Sequence, residues 1–120
     1  MKNSDVFKAY IDAFTAGDLD TARRYIADDF TFDGPTMKAG NKKEFFDNIS
    51  PDLIAMTRGY TMLRQFEDEG ELCSIYEYNL ETPVGQGAIY MVEWNKVRDG
   101  QLTSAKLLFD TAQFSTLMPG

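Results

Sequence analysis

At Tyr60 the chain changes its hydrophobic period, and that change decides the fold class. Before it, apolar residues recur at helical spacing; after it, they alternate through long segments separated by turn residues. The later segments are 60–66, 72–80, 87–97 and 102–114, with turns at Asp68-Glu69-Gly70, at 83–85 and at Asp99-Gly100. Asp-Gly between alternating runs is a strong hairpin signal, because both residues tolerate positive φ. The sequence therefore predicts an α+β fold, with helices first and a long-stranded antiparallel meander after them. Strands of this length curve, and a curved sheet wraps the preceding helices and leaves a pocket between.

The helical half is punctuated by caps. Ser4 precedes a stripe of Val6, Phe7, Tyr10, Ile11 and Phe14, and Gly17 supplies the stop. Asp18 caps a second helix whose stripe is Leu19, Ala22, Tyr25 and Ile26. Phe30-Thr31-Phe32-Asp33 alternates as a short strand and ends at Gly34-Pro35. Asn41 and Glu44 resemble a capping box for a helix through Ile49, and Ser50-Pro51-Asp52 starts another short turn of helix.

Composition removes whole classes of function. A chain of 120 residues is one domain, able to bury roughly two thirds of its unfolded surface. A net charge of −7 argues against nucleic acid and anionic membrane surfaces, which are met by basic patches. Cys73 is the only cysteine, so no internal disulfide, CxxC pair or thiolate zinc cage is available. No apolar run is long enough to span a bilayer, and the first residues carry no apolar signal core. The expected location is the reducing cytoplasm. Histidine is absent, so acid-base chemistry falls to carboxylates, Tyr or Lys. The acidic run Glu67-Asp68-Glu69-Gly70-Glu71 lacks calcium-loop spacing and reads as a solvated hairpin tip; no cofactor or metal is expected.

Two acids interrupt the strand pattern. Glu93 and Asp110 stand among Ile89, Met91, Trp94, Leu108 and Phe109, where burial strips water from a carboxylate and favours its neutral form. Such positions are retained for chemistry or recognition. Glu93 either faces a pocket or pairs at the rim with Lys96, Arg98 or Lys106. Asp110 either faces the pocket or binds nearby backbone amides, and Phe109 lines the pocket if Asp110 does not. Tyr10 is a pocket hydroxyl or a core tyrosine; Asp33 is a base or a turn residue before Gly-Pro. Both faces of segment 87–97 are bulky, and an exposed sheet rich in Tyr76, Tyr78, Tyr90 and Trp94 implies a homodimer formed through it.

The run helix-Gly17-Asp18-helix, then Tyr25, Ala27-Asp28-Asp29, Phe32-Asp33 and Pro35, then a meander ending in Asp99-Gly100-Gln101-Leu102 and Phe109-Asp110, resembles the nuclear transport factor 2-like superfamily. Its SnoaL-like and ketosteroid-isomerase-like branch is the nearest in pattern. The resemblance implies a cone-shaped α+β barrel, N-terminal helices in the concave face of the sheet, with 1–114 as one domain and 115–120 as a tail. It implies frequent dimers, and a hydrophobic pocket used by steroid isomerases, polyketide cyclases, epoxide hydrolases and non-enzymatic binders.

By that resemblance Tyr10 falls on the isomerases' oxyanion-hole tyrosine and Glu93 on their protonated acid, a carboxyl kept neutral to donate a hydrogen bond. The isomerases carry their base immediately before the proline, where Gly34 stands; Asp33 is one residue earlier, a shift that reverses the face of a strand. Asp110 falls on the catalytic aspartate of SnoaL-like cyclases. Met91 occupies the place of an arginine that the epoxide hydrolases need, which argues against that reaction. The implied function is isomerisation or cyclisation of a small hydrophobic carbonyl compound, by proton transfer at carbon. Asp110 or Asp33 is then the base and Tyr10 and Glu93 meet the enolate oxygen. The alternative is a non-catalytic ligand-binding or dimerisation module of the same fold.

Overall fold

A computed structural model describes residues 1–119. Helix α1 (Asn3–Thr15) buries Val6, Phe7, Tyr10 and Ile11 along one stripe. It begins earlier than Ser4 suggests: Lys2 is the cap, and its backbone N–H donates to the Asp5 carboxylate at 3.2 Å. Gly17 ends it at φ +82°, which a side chain rarely adopts. Asp18 accepts the Thr21 N–H at 3.1 Å and caps α2 (Leu19–Arg23). That helix is a single turn. Tyr25 and Ile26, expected on its stripe, leave it, because the Tyr25 carbonyl takes the Leu102 N–H at 2.7 Å and Ile26 opens strand β1 (Ile26–Asp33).

A two-residue strand β2 (Lys38–Ala39) folds back on β1. Asn41 accepts the Glu44 N–H at 2.8 Å to cap α3 (Lys42–Asp47), which stops short of Ile49, and Ser50 caps α4 (Pro51–Met56). The meander then runs β3 (Thr57–Asp68), β4 (Glu71–Thr82), β5 (Gly85–Arg98) and β6 (Gln101–Phe109). Its hairpin tips are the expected ones, with Asp99 at φ 52° and Gly100 at φ 75°.

The six strands form one curved, unclosed sheet in the order β2-β1-β6-β5-β4-β3. The cone is open along both edges. β1 joins β6 in parallel, the one departure from an antiparallel sheet, and is reached by the excursion through β2 to β5. The helices lie in the concavity, where Phe45 gathers Phe14, Phe30, Phe32 and Phe46 at ring distances of 4.9 to 6.4 Å. Aromatic pairs of this kind add about 0.5–1.5 kcal/mol each beyond burial. No helix among the described residues is long and apolar enough to cross a membrane.

Two expectations are corrected. The last strand ends at Phe109 and the chain turns into helix α5 (Thr111–Leu117), with Asp110 as its N-cap. One Asp110 oxygen accepts the N–H groups of Ala112 and Gln113 at 2.9 and 3.2 Å, donors that a strand does not present to a single side chain. α5 lies on β5: Leu117 sits over Gly87, where a Cβ would stand 2.6 Å from its methyl, and the Leu117 carbonyl accepts Thr82 Oγ1–H at 2.5 Å. The second correction concerns Tyr76 and Tyr78. They share the parity of Leu72 and Leu80 and point into the concavity, so the outer face carries Tyr90, Trp94 and Leu108 without them.

Asp110→Ala should remove the cap and cost about 1 kcal/mol. Amide exchange should accelerate along α5 while β4 and β5 keep their protection. Unchanged α5 exchange would show that packing on Gly87, and not the cap, holds the helix.

Candidate functional site

Strand alternation builds the site. On β5 the inward residues are Ile89, Met91, Glu93 and Asn95; on β4 they are Ser74, Tyr76 and Tyr78. Between this surface, α1, α3, α4 and the end of α5 lies a cavity of about 510 Å³. Phe14, Phe32, Phe45, Met91, Leu107 and Phe109 make apolar walls, and the exposed Thr36, Asn48, Ser50 and Asp52 ring its mouth. Tyr10, Tyr76, Tyr78 and Glu93 supply polar groups on the inner walls.

Glu93 is 3% exposed. The Tyr76 hydroxyl donates to its Oε1 at 2.7 Å, and Asn95 Nδ2 donates to its Oε2 at 3.0 Å. Burial raises its pKa, and the two donors only partly oppose that. Burial also raises the Tyr76 hydroxyl well above its ordinary value, with the nearby Glu93 acting in the same direction. Tyr10 is pushed up by burial and then by Glu93 and Tyr78. Tyr78 is bonded to Thr57 Oγ1 at 2.7 Å and raised by burial to about 12. All three tyrosines therefore stay protonated and able to donate. The Tyr10 hydroxyl has no hydrogen-bond partner among the described residues and opens on the cavity, since Asn95 Oδ1 is the one unpartnered side-chain atom that is sealed from solvent.

The residues singled out in the sequence divide two and two. Tyr10 and Glu93 line one cavity. Asp33 and Asp110 are outside it. Asp33 follows the inward Phe32 and points outward, half exposed, to Lys38 at 3.4 Å and Lys106 at 3.6 Å. Asp110 is occupied with the amides of α5, and Phe109 lines the cavity in its stead. Neither is positioned as the cavity's base. The basic residues offered as rim partners of Glu93 lie elsewhere, Arg98 against Asp29 at 3.3 Å and Lys96 over the Trp94 ring at 5.8 Å. Sequence reasoning missed Asn95, which shares the parity of Glu93 two residues on, and Asp52, read only as a helix start. Among the described residues no three metal-ligating side chains converge.

Comparison with known proteins agrees with this architecture. The SnoaL-like domain is matched over residues 7–105. No curated protein matches the sequence. Among solved structures, a nuclear transport factor 2-like protein of unknown function from Burkholderia pseudomallei superposes with a TM-score of 0.84 at 14% identity, covering 100% of this chain and 99% of that one. A Shewanella denitrificans protein named for SnoaL-like polyketide cyclases gives 0.81 at 19% identity, over 96% and 95% of the two chains. An epoxide hydrolase of M. tuberculosis gives 0.79 at 16% identity, over 96% and 88%. At these identities the likeness concerns the fold.

The raised pKa of Glu93 makes a pH signature. The folded acid holds a proton that the unfolded chain releases above its ordinary value of 4.5, so its contribution to stability is complete below that pH and is lost as pH rises through the folded pKa. Glu93→Gln has no proton to lose. Its stability relative to the parent should improve from pH 4 upward, by at most about 1.4 kcal/mol per pH unit within the window. Urea unfolding of both proteins from pH 4 to 8 measures this, and parallel stability curves would refute a raised pKa.

Proposed function

The chain belongs to the SnoaL-like family, and from that premise we propose that its cavity binds a small, mostly apolar molecule through one oxygen acceptor, a ketone or its enolate. The observation that carries the reading is the unpartnered Tyr10 hydroxyl opening on an apolar cavity that also contains a buried carboxyl, whose pKa burial raises. A donor without a partner favours an oxygen that can accept from it, and low surrounding polarity strengthens that bond. Neutral tyrosine donors stabilise developing negative charge on oxygen better than they stabilise a neutral carbonyl, which is what enolisation requires.

The catalytic form of this proposal is isomerisation or cyclisation by proton transfer next to the carbonyl. Its base is Asp52, the one acid on the described cavity wall besides Glu93. The non-catalytic form keeps the pocket and drops the base.

Proton NMR of 2-tetralone in deuterated buffer separates these forms. Saturable binding is expected, weakened roughly 3–10-fold by Tyr10→Phe, the worth of one hydrogen bond. Deuterium should enter the α-carbon faster than in buffer. Asp52→Asn should slow that by about 10²–10⁴-fold, while Asp33→Asn and Asp110→Asn leave it unchanged. Binding without exchange selects the non-catalytic form; no saturable binding by any cyclic ketone sinks both.

The assembly proposal is a homodimer through the outer face of β4, β5 and β6. Tyr90, Trp94 and Leu108 are 54%, 47% and 56% exposed there, and the Trp94 indole is held by Glu71 at 2.7 Å. Sedimentation of the parent at high micromolar concentration should report a dimer and Trp94→Glu a monomer. A monomeric parent would dismiss this interface.

A further inference from the structure

Asn95 has no access to the cavity, yet it touches the group at the cavity's centre. It is fully buried, opposite Leu72 on β4 and Ala105 on β6, both apolar and both buried. Its Oδ1 is the one buried side-chain polar atom without a partner among the described residues. A leucine there would fill the space and leave no orphan oxygen. What asparagine adds is Nδ2, which donates to Glu93 Oε2 at 3.0 Å and to the Ser104 carbonyl at 3.3 Å. One amide thus ties the acid of β5 to the backbone of β6.

The two carboxyl oxygens are held from opposite sides. Oε1 meets the Tyr76 hydroxyl, which lines the cavity, and Oε2 meets Asn95, which does not. We propose that Asn95 is the positioning residue of this site: by donating to Oε2 it fixes the carboxyl plane and turns Oε1 to the edge shared with Tyr76, where that oxygen accepts the Tyr76 O–H. The Asn95 N–H favours the charged form of the acid, so it holds down the carboxyl's proton affinity as well as fixing its orientation. The titratable groups facing Glu93 are Tyr10 from α1 and Tyr76 from β4, and its β6 partner Leu107 contributes none. This inference rests on Glu93 as a working group of the pocket, but it concerns the ligand-free protein.

Carbon-13 NMR of labelled glutamate, without ligand, follows the Glu93 carboxyl from pH 4 to 10 in the full chain. Asn95→Leu removes the donor that favours the charged form, so Glu93 should hold its proton roughly tenfold more tightly, about one pH unit. Asn95→Asp keeps the shape and sets a second carboxyl beside Oε2; Glu93 should then titrate in two coupled steps. Leu72→Ala, in the same buried layer, should lower thermal stability and leave the Glu93 midpoint in place. An unshifted midpoint in Asn95→Leu, or an equal shift in Leu72→Ala, would overturn the assignment. Should the leucine variant not fold, a single unshifted step in Asn95→Asp does the same. Failure of every ketone to bind would sink the proposed function and leave this titration standing.

Discussion

The ladder between β4 and β5 is the constraint on which the rest depends. It runs from Glu71 opposite Lys96 to Thr82 opposite Gly85 without a register shift, whereas β3 and β6 both slip against their neighbours. An unbroken register assigns every side chain of both strands to a face. It sets Ser74 across from Glu93 and Tyr76 across from Met91, so one polar row crosses an otherwise apolar surface. Moving β5 by one residue would send Glu93 and Asn95 to the outside and bring Trp94 and Val92 in. The helices, whose apolar stripes meet that surface, would lose their partner. Site and core are therefore products of the same pairing.

Burying that row is expensive in isolation. An ionised carboxylate taken out of water costs several kcal/mol even after relaxation, and among the described residues no cation pairs with Glu93 to offset it. The structure answers with hydrogen bonds at both oxygens and a shift toward the neutral acid. The tyrosines gain from the same arrangement: their phenolate forms are suppressed by burial and by one another, so they remain donors over the whole range in which proteins work. The outcome is an inner wall on which burial favours the neutral forms of the acid and of the tyrosines. The formal acidity of the chain resides elsewhere, on hairpin tips and helix ends, where water solvates it.

Much of this could be read from the sequence, for physical reasons that differ by element. Turns at Asp99-Gly100 and Asp68-Glu69-Gly70 were legible because positive φ is a local demand met by few residues. The caps Asp18, Asn41 and Ser50 were legible because a side-chain oxygen satisfies helix N–H groups within three residues. Glu93 stood out because a carboxyl at inward strand parity is rare. Asp110 looked equivalent and was not: Leu108, Asp110, Ala112 and Phe114 alternate as a strand, yet Asp110 followed by Phe114 and Leu117 also satisfies a capped helical turn, and local hydrogen bonding decides between them. The parallel pairing of β1 with β6 has no local signature, since it joins residues more than seventy positions apart. Tyrosine suits either face of a sheet, and only the parity that Tyr76 and Tyr78 share with Leu72 and Leu80 places them in the concavity.

The same geometry separates recognition from chemistry. The polar groups of the cavity sit deep, Tyr76, Tyr78 and Glu93 on strands whose positions the ladder sets and Tyr10 on α1, and the acids that sequence pattern suggests as bases sit outside, one tied to lysines and one to helix amides. Asp52 is different: it belongs to the first turn of a six-residue helix at the mouth, so its placement depends on α4 and not on the sheet. Sub-ångström positioning is needed for a base to act, whereas a donor pair tolerates more. In the proposed function, turnover therefore rests on the rim and oxygen binding on the inner polar row held by Tyr76 and Asn95. That is the physical sense in which enzymes and binders can share one sheet.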